Sequence, residues 1–178
     1  LRSRSLRRSL MAVVAMILLG TAWAFASPQG SSADDDYHLT TIWCAQGNSA
    51  YCQEVEGDTG VFVPRIIAYP ACFVTWPADI SAACVNDVDY TPIYTQRIDP
   101  EVGGYPGGFY WAMSWLAGSD VVGSVQLMRV ANTVLAAVLL GFALAVTRPA
   151  IRRAVALSWG VAIAPVGIFF IASTNPSS

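Results

Sequence analysis

Three adjacent carboxylates lead to the chain's only histidine in Asp34-Asp35-Asp36-Tyr37-His38, the densest cluster of reactive groups in the 178 residues. Carboxylates this close raise one another's pKa, which suits a general base. The same cluster can bind a divalent cation such as Mg or Mn, with Asp34 and Asp35 as ligands. A plain reading stands beside both: aspartates favour a helix start, where the dipole attracts negative charge. The second candidate is Arg129, set in the otherwise apolar stretch VVGSVQLMRVANTVLAAVLLGF. An ionisable group in such a stretch is a functional-site hypothesis by default. Its guanidinium can fork onto the phosphate of a lipid carrier, or simply reach the lipid headgroups. Asn132 falls on roughly the same helix face. Asn175-Pro176, after the last apolar run, reads as a helix end.

Four cysteines lie near the acidic cluster: Cys44, Cys52, Cys72 and Cys84. An even count in an exported segment suggests disulfides. Of the three possible pairings, Cys44–Cys52 and Cys72–Cys84 close the shortest loops. Zinc competes poorly, because the sequence has no CxxC pair and only His38 as a nitrogen ligand.

The charge pattern says what must position these groups. All twelve carboxylates lie between Asp34 and Asp120, with only Arg65 and Arg97 among them. The other arginines are Arg2, Arg4, Arg7, Arg8, Arg129, Arg148, Arg152 and Arg153. Apolar runs flank the acidic window, and the composition is 54% hydrophobic and 12% charged. A soluble domain has about 25% charged residues. The pattern is that of a membrane protein with arginines held on the cytoplasmic side. Arginines at membrane edges give no basic face for a nucleic acid.

The expected architecture is mainly α: a polytopic membrane protein with three transmembrane helices and a disulfide-braced mixed α/β extracytoplasmic loop. Residues 1–10 form a cytoplasmic basic N-terminus, 11–27 the first transmembrane helix and 28–120 the loop. Residues 121–146 form the second helix, 147–153 a cytoplasmic basic turn, 154–174 the third helix and 175–178 an extracytoplasmic end. Each span is near the ~20 residues a bilayer requires. This places the protein in the plasma membrane, multi-pass. A cleavable signal peptide ending at Ala24-Phe25-Ala26 is the rival reading of the first segment. Met11 is a candidate start, and further spans are expected beyond Ser178.

Within the loop, Asp35–Gln46 reads as a helix with an Asp cap. Val61–Ile67 and Ala71–Trp76 read as short strands, Asp79–Val88 as a helical turn, and Thr91–Gly108 as irregular. Five aromatic residues in Tyr105–Leu116 suggest an interfacial helix near 105–118, or a patch that packs the loop. The glycine pairs lack the strand–loop–helix setting of a phosphate cradle.

The order of these features resembles the start of the bacterial polytopic family catalogued as domain of unknown function 2142, especially its actinobacterial members. The carrying segments are ADDDYHLTTIWCAQG, YPGGFYWAMSWLAGSD, LMRVAN and APVGIFFIASTNPSS. Asp34 and Asp35 match an acidic pair, usually Asp-Glu in the family, and His38 its histidine. Pro106 and Tyr110 match a proline-aromatic segment whose second proline is here Gly107. Arg129, Pro165, Asn175 and Pro176 match later elements. The cysteines suit a subset of members. The family looks like a distant relative of the C-superfold membrane glycosyltransferases. The resemblance therefore implies an uncleaved first helix and the N-terminal part of a glycosyltransferase-like protein in cell-envelope polysaccharide assembly. Its partners would be a polyprenyl-phosphate sugar donor and a glycan acceptor. Asp34 or Asp35 would deprotonate the acceptor hydroxyl, His38 would orient a carboxylate or donate to phosphate, and Arg129 would hold the donor phosphate. The fragment alone would be inactive. A non-enzymatic protein that binds or exports polysaccharide, or a secreted disulfide lobe, are the other expectations.

Overall fold

The structure, a computed structural model, describes residues 2–74, 80–87, 89–99 and 104–176. It divides into two units: residues 27–128 with 174–177 form a lobe, and residues 1–26 with 129–173 form a helical unit.

In the helical unit, α1 (Arg2–Ala26) is a single unbroken helix. The helix α5 (Val121–Val146) starts in the lobe and contributes its part from Arg129 onward here. Both α1, over Ser9–Ala26, and α5 are long and apolar enough to cross a membrane. They meet through small residues: a Cβ at Gly20 would collide with Thr133, and one at Gly141 would press Val13 at 3.3 Å. Close helix approach of this kind is how apolar helices associate without a hydrophobic driving force between them. Met16, Ala137, Leu140 and Leu144 form the unit's core. Apolar side chains such as Leu18, Leu139 and Phe142 stay more than half exposed.

The expected third span is not one helix. It runs as α6 (Arg152–Ala162), a wide turn at Ile163–Gly167 and a short α7 (Ile168–Ile171). The break sits at Ala164, whose φ of −92° and ψ of 132° are extended. Pro165 explains it: proline excludes helical geometry from the residue before it and has no N–H to donate.

In the lobe, α2 (Asp35–Cys44) presents Leu39, Ile42 and Trp43 to a core shared with Val61, Val63 and Ile67. Three strands follow: β1 (Gln53–Glu54), β2 (Val61–Pro64) and β3 (Pro92–Thr95), antiparallel in the order β1-β2-β3. Val61 pairs with Thr95, Phe62 with Tyr94 and Val63 with Ile93. The alternation buries Val61 and Val63 and leaves Phe62 outside. The expected strand to Ile67 stops early, because the chain turns after Pro64 into α3 (Arg65–Ala68). The strand expected from Ala71 is a tight turn at Cys72–Val74, and its last two residues lie outside the described set. Ala82–Asn86 forms the expected helical turn, capped by Ser81 Oγ, which accepts from the Ala83 N–H at 3.2 Å. Conversely, β3 lies in the segment read as irregular. Its proline is tolerated because Pro92 opens an edge strand. The helix α4 (Gly107–Ser114) buries Tyr110 against this core and leaves Trp111 exposed.

Both disulfides follow the short-loop pairing. Cys44–Cys52 ties the end of α2 to the approach to β1, and Cys72–Cys84 joins the two tight turns.

Candidate functional site

The three aspartates that look equivalent in sequence have separate fates. Asp34 holds a left-handed backbone, φ 55° and ψ 27°, and is the only described non-glycine residue with positive φ. Such a conformation is uncommon away from glycine, though aspartate tolerates it. Asp34 stands one residue before α2 without capping it; its side chain is 55% exposed.

Asp35 points the other way and is 2% exposed. One carboxylate oxygen accepts from the backbone N–H of Gly30 (3.0 Å) and of Ser32 (3.3 Å). The other accepts from Thr174 Oγ1 at 2.6 Å. A buried carboxylate with this many donors folds the segment after α1 around itself.

Asp36 is gripped by Arg97. The guanidinium Nε donates to Asp36 at 2.7 Å, while one Nη donates to Asp34 at 2.7 Å and to Asp36 at 3.1 Å. Burial alone would raise the Asp36 pKa, but the Arg97 bonds and charge bring it below the usual carboxylate value. The bonds to Asp36 and then Asp34 raise the Arg97 pKa in turn. Arg97 also lies over the Tyr37 ring, 5.6 Å from its centroid. The like-charge crowding is thus relieved by sending one carboxylate inward, to donors that include Gly30, Ser32 and Thr174, and clamping the other two with Arg97.

His38 is fully buried. Its Nδ1 pairs with the Tyr110 hydroxyl at 2.9 Å, and its Nε2 has no hydrogen-bond partner among the described residues. Tyr37 and Tyr105 set their rings edge-on to the imidazole at 5.3 and 5.1 Å. Burial lowers the His38 pKa, against the opposing pull of Asp34, Asp35, Asp36 and Asp99, so the ring is held neutral. Burial, and then the carboxylate of Asp99, push the Tyr110 hydroxyl up. Tyr37 donates to Asp99 at 2.6 Å, and burial followed by that bond raises its pKa too. The hydrogen-bond partner of His38 is therefore a tyrosine, not one of the aspartates.

Arg129 belongs to the helical unit and is 1% exposed. Its backbone carbonyl accepts from Thr133 Oγ1 at 3.0 Å. Nearby, Asn132 Nδ2 donates to the Ser173 carbonyl at 2.7 Å, which fixes the end of the broken third segment. Among the described residues, no three His, Cys, Asp or Glu side chains gather as metal ligands.

A family model described as a predicted membrane protein, DUF2142, matches residues 17–178. The chain belongs to the DUF2142 family. No curated protein and no solved structure gives a significant match. The DUF2142 match takes in α1 from Ile17 onward, the whole lobe and α5 through α7, so every candidate residue lies inside it.

Sequence reasoning missed Arg97, Tyr37, Asp99 and Thr174. Arg97 carried a usable signal: it is one of only two basic residues in the acidic window. Thr174 carried none, because its partner is 139 residues away.

Proposed function

We propose that this DUF2142 chain is the N-terminal part of a membrane glycosyltransferase-like protein. It would use a polyprenyl-phosphate sugar donor at the outer face in cell-envelope polysaccharide assembly. In this reading the lobe is extracytoplasmic, the N-terminus and the turn at 147–153 are cytoplasmic, and residues 154–174 form a broken third span. The course of α1 supports an uncleaved anchor, since the helix runs unbroken through Ala24-Phe25-Ala26 and Ala24 is fully buried.

One observation carries the reading: Asp34 is an accessible carboxylate on a left-handed backbone residue, beside an Asp35 whose oxygens are committed to Gly30, Ser32 and Thr174. Unusual backbone conformations cluster at working sites. Asp34 is accordingly the base, with Asp35 and His38 holding its segment in place. Its carboxylate takes the proton of an acceptor hydroxyl as that oxygen bonds to the anomeric carbon of the donor sugar. The carbon–oxygen bond to the lipid phosphate breaks, and the electron pair leaves with the phosphate. We also propose Arg129 for that phosphate, on the forked donor geometry of its guanidinium; at 1% exposed, it must first be uncovered. Arg97 orients Asp34, and its grip must loosen as the proton moves.

The test is Asp34→Asn in the full-length protein. Loss of a general base lowers the rate by about a hundredfold or more, so glycan transfer should collapse while the amount in the membrane stays the same. Full transfer by this variant would end the assignment. The non-enzymatic reading is favoured by one observation, the Arg97 clamp, which already neutralises Asp34. It expects saccharide association without consumption of a lipid-linked donor.

A further inference from the structure

The lobe carries a second feature, away from the acidic run. A groove of about 860 Å³ is lined by residues from the end of α2, the β1–β2 turn and the segment after β3. Small-molecule sites span roughly 300–1,000 Å³, so this one has room for several linked rings. Its chemistry is selective. Glu54, Asp58 and Asp99 line it beside Thr41, Thr59 and Gln96, and no arginine is among the lining residues. Three carboxylates without a cation repel phosphates and uronates.

Asp58 is held ready on its own network. Its carboxylate accepts from the Gly60 N–H at 3.1 Å and from the Tyr94 hydroxyl at 2.7 Å, and Gln96 Nε2 donates to that same hydroxyl at 2.8 Å. These bonds fix the carboxylate and leave lone pairs for a ligand's hydroxyls. Next to it, Phe62 and Tyr94 stand edge to face at 5.7 Å and are 41% and 39% exposed. Gly60 permits the arrangement: a Cβ there would sit 2.5 Å from the Tyr94 ring.

We infer that this groove binds a neutral oligosaccharide. Carboxylate and amide in the groove take the hydroxyls, and the Phe62–Tyr94 pair, outside the lining but joined to it by the Tyr94–Asp58 bond, takes the apolar face of a sugar ring that extends past the groove. The inference holds under either reading of Asp34, because it concerns binding alone.

The experiment uses the full chain in lipid nanodiscs, with no lipid-linked donor present. It measures binding to neutral oligomers of mannose, galactose and arabinose, to glucuronate oligomers and to a penta-arginine peptide. At least one neutral oligomer should bind and the glucuronates should not. Gly60→Ala, which displaces the Tyr94 hydroxyl, and Asp58→Ala should each weaken binding about tenfold or more. Glu56→Gln, outside the lining, should leave it unchanged. Intact disulfides and an unchanged thermal midpoint establish that each variant is folded; if Asp58→Ala fails this, Gln96→Ala replaces it. Binding of penta-arginine alone, no binding of any neutral oligomer, or full affinity in the folded variants would overturn the inference.

Discussion

The helical unit and the lobe solve opposite problems with similar residues. The lobe turns Leu39, Ile42, Val63 and Ile67 inward, buries Asp35 on hydrogen-bond donors, and clamps Asp34 and Asp36 with Arg97 at the surface. The helical unit leaves Leu18, Leu139 and Phe142 outside and packs its helices through Gly20 and Gly141. All twelve carboxylates and the single histidine fall within the lobe's residues. The two units are built for different solvents, and the same substitution should have different consequences in each.

The largest effect should come from a charge on the outward face of α5. Leu139→Arg would place a cation near mid-span, at about 2.5–3.5 kcal/mol against insertion; on an exposed face in water such a change is worth within about 0.5 kcal/mol. Membrane-fraction yield decides, and an unchanged yield would break the contrast. Next, Asp35→Ala should destabilise the lobe by about 2–3 kcal/mol, because Gly30, Ser32 and Thr174 lose a buried charged acceptor. Faster proteolysis within residues 27–128, with the helical unit still protected, is the expected readout. Gly20→Leu forces side-chain volume against Thr133 and should cost about 1–3 kcal/mol in the helical unit only. Thermal unfolding followed at a probe in each unit would separate the two.

The smallest effect should be acid sensitivity confined to the lobe. The folded His38 pKa is lowered, so the unfolded chain takes up a proton first, near pH 6.5. This contribution is complete above about pH 6.5 and is lost as the pH falls from there through the lowered folded value. Asp36 adds a second loss below its ordinary 3.8. His38→Gln should flatten the first of these windows. The helical unit's residues include only arginines as ionisable side chains and should show neither.

The sequence made the helices of the first two apolar runs legible, because length and apolar content decide them. The disulfide pairing was legible for a similar reason, since short loops close most readily. The break at Ala164–Pro165 was visible as a proline but was overruled by the hydrophobicity around it. The edge strand at Pro92 was hidden by the same residue type, whose meaning depends on which strand it opens. At the candidate site, the reactive residues were legible and their division of labour was not. Nothing in Asp34-Asp35-Asp36 says which carboxylate turns inward; that is settled by Gly30, Ser32 and Thr174 on one side and Arg97 on the other.

The bond from Thr174 to Asp35 also sets a schedule. The two residues are 139 positions apart, and ribosomes add roughly 5–20 residues per second. Asp35 therefore waits on the order of ten seconds after its own synthesis before Thr174 exists. During that interval all four cysteines of the lobe already exist, but its buried carboxylate still lacks the Thr174 hydroxyl. Completion of the lobe's hydrogen bonding thus waits until the chain has been made past α7, so a residue synthesised after α7 closes the first turn of the lobe.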